Sequence, residues 1–123
     1  MAILATVAVW AQTFQSGDLH YKVTSSTAYT VEVTESSQYS GENYKGITAV
    51  VVPESVSYEG QTYSVTAIGE AAFNNAAALT SVSISNSVLT IGEYAFANCK
   101  LLSSVALGNS VTTIETAAFN NCA

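Results

Sequence analysis

The chain has 123 residues, room for one domain of ordinary size, and 49% of them are apolar, enough for a core. Only 10% are charged, where about 25% is usual, and Ser, Thr, Asn and Ala make up the difference. Three lysines and no arginine stand against nine acidic residues, a net charge of −6. That balance excludes nucleic acid as a partner and disfavours docking on an anionic membrane.

In chain order, the largely apolar run Ala2–Trp10 has the length of a secretory signal's hydrophobic region and is far too short for a transmembrane span. Residues 1–11 therefore read as a signal-peptide remnant, with a buried first strand as the alternative. Leu19, Tyr21 and Val23 then alternate with polar residues, and so do Tyr29, Val31 and Val33. With Ser25-Ser26-Thr27 between them, the two runs predict an antiparallel hairpin. Residues 12–46 are read as a β-rich cap, with Glu35–Lys45 as a polar loop. Ile47–Val52 predicts a strand that Pro53 ends, and Val56–Tyr63 predicts a second hairpin with Gly60 at its turn.

From residue 65 the chain repeats itself without gaps, at a constant shift of 23. Ile68, Ile91 and Ile114 coincide, as do Phe73, Phe96 and Phe119. Leu79 pairs with Leu102, Val82 with Val105, and Ile84 with Leu107. A shift of 32 carries the register back to Ile47, Val50 and Val52. These twelve repeated positions, from Ile68 to Phe119, are the expected core. Each unit joins an alternating strand to a segment such as Gly92–Cys99, whose spacing predicts one or two helical turns. One unit alone cannot bury its apolar face, but stacking piles identical residues at the strand spacing of ~4.8 Å. The expected fold is a β-rich α/β solenoid of the leucine-rich-repeat type over residues 47–123. It would be a right-handed superhelix of short parallel strands and short helices, preceded by the antiparallel hairpin cap.

The stretch Ser85–Cys99, with Ile91-Gly92-x-x-Ala95-Phe96-x-x-Cys99 at its centre, resembles the BspA-like leucine-rich repeat proteins. Val52-Pro53-Glu54-Ser55-Val56 is similar to that family's proline-containing turn. The resemblance covers residues 47–123, with Ala76 in place of the usual Cys and Glu115 in place of Gly. It implies a secreted or surface-displayed bacterial protein that adheres to host matrix or cell-surface proteins. It assigns no role to any single position.

Few residues offer chemistry, and each has a structural reading. Cys99 and Cys122 share a column with Ala76, a slot for a small buried side chain. Parallel Cβ vectors make poor disulfide geometry, so free core thiols are expected. His20 lies on a polar strand face without a nucleophile nearby. Glu70 and Glu93 share a column, but Thr116 ends it, and charges at a helix start explain them. No catalytic residue, cofactor or metal site is assembled, so the chain is read as no enzyme. Asn75, Asn98 and Asn121, and separately Asn86 and Asn109, predict amide ladders at the turns. Ser83, Ser85, Ala106 and Gly108 predict a flat, small-residue face that suits a protein partner. The expected function is a secreted or cell-surface adhesion module; the alternative is a scaffold or accessory arm of a larger secreted enzyme or carbohydrate-binding protein. Further repeats of the same chain are expected after residue 123, where the pattern demands another strand.

Overall fold

The computed structural model describes residues 12–36 and 43–122, so the signal-peptide reading of residues 1–11 lies outside the described residues. Among the described residues ten strands form two sheets: β1 (Thr13–Ser16), β2 (Leu19–Ser25), β3 (Thr30–Thr34), β4 (Ala49–Val52), β5 (Ser55–Tyr58), β6 (Gln61–Ile68), β7 (Ser81–Ile84), β8 (Thr90–Ile91), β9 (Ser104–Ala106) and β10 (Thr113–Ile114). The larger sheet has the order β1-β2-β3-β6-β8-β10, with β5 also paired to β6. The smaller has the order β4-β7-β9.

The chain passes back and forth between these sheets, and each return adds one level. The sequence register becomes physical pairing: Ile68 lies beside Ile91 and Ile91 beside Ile114, in parallel strands. On the other side Val50, Val82 and Val105 pair in series. The β5–β6 hairpin turns at Glu59 (φ 51°) and Gly60 (φ 80°), two left-handed residues in succession as a tight hairpin turn requires. Strands β2 and β3 form the expected antiparallel pair. β3 also pairs in parallel with β6, Val31 beside Val65 and Val33 beside Ile68. It thus belongs to both arrangements, antiparallel with β2 and parallel with β6.

The expected helices are absent among the described residues. Residues 69–78 and 92–101 are successive turns, and their hydrogen bonds show why. The N–H groups of Ala72, Asn74 and Ala76 donate within the turn, to the carbonyls of Gly69, Ala71 and Phe73. Those of Ala71, Phe73 and Asn75 donate instead to Glu93, Ala95 and Ala97 of the next level, at 2.7–2.9 Å. Tyr94, Phe96 and Asn98 repeat this toward Thr116, Ala118 and Asn120. A helix would claim every N–H internally; here alternate ones hold the levels together. Left-handed φ at Ala71, Asn75, Tyr94 and Asn98 breaks helical continuity at each step.

Of the twelve expected core positions, Ile68, Phe73, Leu79, Val82, Ile84, Ile91, Phe96 and Leu102 are buried, and Val105 and Phe119 are half-buried. Leu107 and Ile114 differ, at 45% and 49% exposure, because no described level lies beyond them to cover their outer side. Levels approach closely at Gly92. A Cβ there would sit 2.8 Å from the Glu70 nitrogen and the Gly69 carbonyl carbon. Backbone cannot yield as a side chain does, so Gly92→Ala is expected to cost about 1–3 kcal/mol. Urea denaturation checks this, and an unchanged midpoint would contradict the close approach.

Candidate protein-binding face and the elements that position it

An aromatic column runs through the interior. Phe73 and Phe96 stack at 5.1 Å with planes 5° apart, and Phe96 and Phe119 at 5.2 Å and 6°. The column has a fourth member: Tyr44 stacks on Phe73 at 4.7 Å. Its hydroxyl donates to the Thr34 carbonyl (2.6 Å) and accepts from the His20 N–H (2.9 Å). Burial pushes the Tyr44 phenol above its usual range.

Beside it, Asn43 is the one buried polar or charged residue among those described, at 4% exposure. Its Nδ2 donates to the carbonyls of Ala72 (3.0 Å) and Asn74 (2.9 Å). Later levels satisfy the equivalent carbonyls by backbone N–H groups; Asn43 does it here with one side chain. Its Oδ1 accepts from the Ser36 N–H at 2.8 Å. The polar-loop reading of Glu35–Lys45 is thus corrected for Asn43 and Tyr44, which are core residues, while residues 37–42 lie outside the described residues.

Cys99 and Cys122 are free thiols. Each donates to the preceding level, Cys99 Sγ to Phe73 O (3.0 Å) and Cys122 Sγ to Phe96 O (3.1 Å). Burial pushes the Cys99 thiol up to about 11 and the Tyr21 phenol up to about 12. The unfolded chain loses these protons near the ordinary values of 9.0 and 10.0, while the folded chain holds them. Their contribution to stability is therefore full below pH 9 and lost as pH rises toward 11 and then 12. Denaturation midpoints measured from neutral to strongly alkaline pH should fall through that window. A flat profile would mean that these groups are solvated.

The Asn expectations are met in part. Asn121 Nδ2 donates to Asn98 Oδ1 (2.8 Å), and the Asn109 N–H donates to Asn86 Oδ1 (2.8 Å). Asn98, however, donates to Asn74 and not to Asn75. His20 sets its ring edge-on to Tyr44. Among the described residues no group of three His, Cys, Asp or Glu side chains is arranged to hold a metal ion.

The outer face of the smaller sheet carries two rows, Ala49–Ser81–Ser104 and Val51–Ser83–Ala106, set by the parallel register. Of the four positions expected on this face, Ser83 and Ala106 are adjacent and exposed. Ser85 is half-buried and donates to the Pro53 carbonyl (3.0 Å). Gly108 presses on it, since a Cβ there would sit 2.3 Å from Ser85 O. These two sit at a joint between levels. Val51, at 74% exposure, is a member that sequence reasoning passed over. The signal was available: the shift of 32 places Val51 in the column of Ser83. The face bears no charge and suits contact with a flat polar or apolar surface.

Parallel ladders in both sheets, β3–β6–β8–β10 and β4–β7–β9, with like residues in register at a repeat of 23 from residue 65, define the leucine-rich repeat class of protein. Residues 66–123 match the BspA-type leucine-rich repeat region in six copies, and the chain belongs to that family. A leucine-rich repeat protein from Bacteroides capillosus is 36% identical with a TM-score of 0.72, covering 86% of this chain and 72% of its own. A leucine-rich cell surface protein from Faecalibacterium prausnitzii is 25% identical (TM-score 0.71), and the match spans 87% of this chain and 27% of that one. A leucine-rich repeat protein from Bacteroides ovatus is 26% identical (TM-score 0.70), spanning 89% and 33%. The chain thus spans about a third or less of the length of the latter two. Comparison with curated proteins gave no match.

Proposed function

We propose that this protein is a secreted or cell-surface protein-binding module that serves adhesion. In this reading the levels form a right-handed solenoid, and β1–β3 cover its first end. The observation that carries the reading is the uncharged outer face of the β4–β7–β9 sheet, whose exposed Val51, Ser83 and Ala106 lie in one row. Small side chains let a partner approach the backbone closely over several levels. The face lacks the Trp, Tyr and Arg anchors that concentrate binding energy, so affinity is expected to be modest and to grow with the number of levels engaged. The likeness to a leucine-rich cell surface protein supports the location. Among the described residues no helix is long and apolar enough to cross a membrane.

Solid-phase binding of the full chain to immobilised matrix proteins and to host cells tests this. The expected result is saturable binding that Ser83→Lys together with Ala106→Glu weakens at least tenfold. Absence of saturable binding overturns the reading. The second reading, an arm of a larger secreted enzyme or carbohydrate-binding protein, is favoured by the greater length of two of the relatives.

A further inference from the structure

The two sheets are unequal at the first end of the molecule. Beyond β3 the larger sheet continues with β2 and β1, whereas the smaller stops at β4. Among the described residues, β4 therefore has a strand neighbour on one side only. The Thr48 carbonyl accepts the Ser81 N–H, and a parallel ladder uses alternate residues of each strand. Val50 and Val52 thus turn their peptide groups toward β7, and Ala49 and Val51 turn theirs toward the unpaired edge. Alongside that edge lies a groove of about 630 Å³. Its far walls are the β1–β2 turn, Ser16 to Leu19, and Ser55 to Ser57 of β5. Leu19 and Tyr21 underlie it, both almost fully buried, and Asp18 is the only charged lining residue among those described.

We infer that this groove takes an extended peptide segment of a partner protein, which adds to β4 as a fourth strand of the smaller sheet and sets a Lys or Arg beside Asp18. The inference deepens the protein-binding reading and rests on it. An edge offering N–H and C=O groups at every second residue, ~6.6 Å apart, is matched by another extended backbone and not by a glycan. A second copy of the chain fits less well. It would bring its own β1–β2 turn to the same space, and each copy carries a charge of −6. The Asp18 carboxylate favours a cationic end on the incoming segment.

The test uses the full chain and, as probe, a short blocked peptide of alternating valine and threonine with lysine at one end. Saturable binding is expected, with amide shifts in NMR at Ala49, Val51, Gly17 and Asp18. Val51→Pro removes a groove-facing N–H and leaves the β7 ladder intact, a placement that edge strands tolerate. It should weaken binding at least tenfold with an unchanged melting temperature, and Asp18→Asn should weaken binding and flatten its salt dependence. Should Val51→Pro fail to fold, a backbone N-methylated probe on the unaltered protein replaces it and should not bind. Equal binding by the folded variant or by the N-methylated probe overturns the inference. So does binding that appears only after residues 1–11 are removed, which makes the chain's own N-terminus the occupant. Matrix binding that persists while the peptide probe fails to bind leaves the adhesion reading standing and removes only this groove.

Discussion

Phe96→Ala should lower the unfolding free energy by about 3–5 kcal/mol, the range for removing a fully buried phenylalanine. Phe96 has no exposed surface and is stacked on both sides, by Phe73 and by Phe119. Its loss would open a gap in the middle of the column, where neither neighbour can move inward without breaking the backbone bonds between levels. Phe119 makes one stack and is half-buried. Phe119→Ala should therefore cost clearly less, about 1–2 kcal/mol for a partly buried side chain. The comparison matters more than either value. Equal losses in urea denaturation would show that the rings act singly rather than as a column.

The second large effect is expected at Asn43. Asn43→Ala leaves the Ala72 and Asn74 carbonyls without their donor and frees the Ser36 N–H, at a cost of about 2–4 kcal/mol. Asn43→Asp keeps the shape but turns a donor into an acceptor facing two carbonyl oxygens. At neutral pH this variant should be less stable than the alanine one. The carboxyl's pKa would be raised in the folded chain, because the protonated form alone can donate. The deficit is thus smallest below the unfolded value of about 4 and grows as pH rises through the folded value. Melting temperatures of both variants between pH 3 and 7 decide the matter. If aspartate is tolerated as well as alanine at pH 7, the two Nδ2 bonds are not holding the first level.

The parts of this structure that sequence reading reached are those where one level repeats another. Ile68, Ile91 and Ile114 share a column because their spacing is constant, and constant spacing is visible without coordinates. The repeat register does not place Tyr44 in the phenylalanine column, because it precedes Phe73 by more than one repeat length and is flanked by polar residues. Tyr44 lies ten residues after the end of β3, where Phe73 lies five after the end of β6. Asn43 was hidden for a related reason: its role is to imitate backbone, and no side-chain pattern announces that. The helix expectation failed on hydrogen bonding. Small residues around an aromatic fit a helical turn, yet Phe73 and Phe96 send their N–H groups to the next level. The outer face was half legible: alternation selected Ser83 and Ala106, while the tethering of Ser85 to Pro53 depends on contact between levels.

The alternate N–H groups of the turns all run one way, from residues 71–75 to 93–97 and from 94–98 to 116–120. Every interior storey therefore accepts on one side what it passes on to the other. Duplicating or deleting one whole storey would join the same donors to the same acceptors, with no new kind of seam. Such a chain is free to vary its height during evolution while its ground floor, closed by a single asparagine, stays the same.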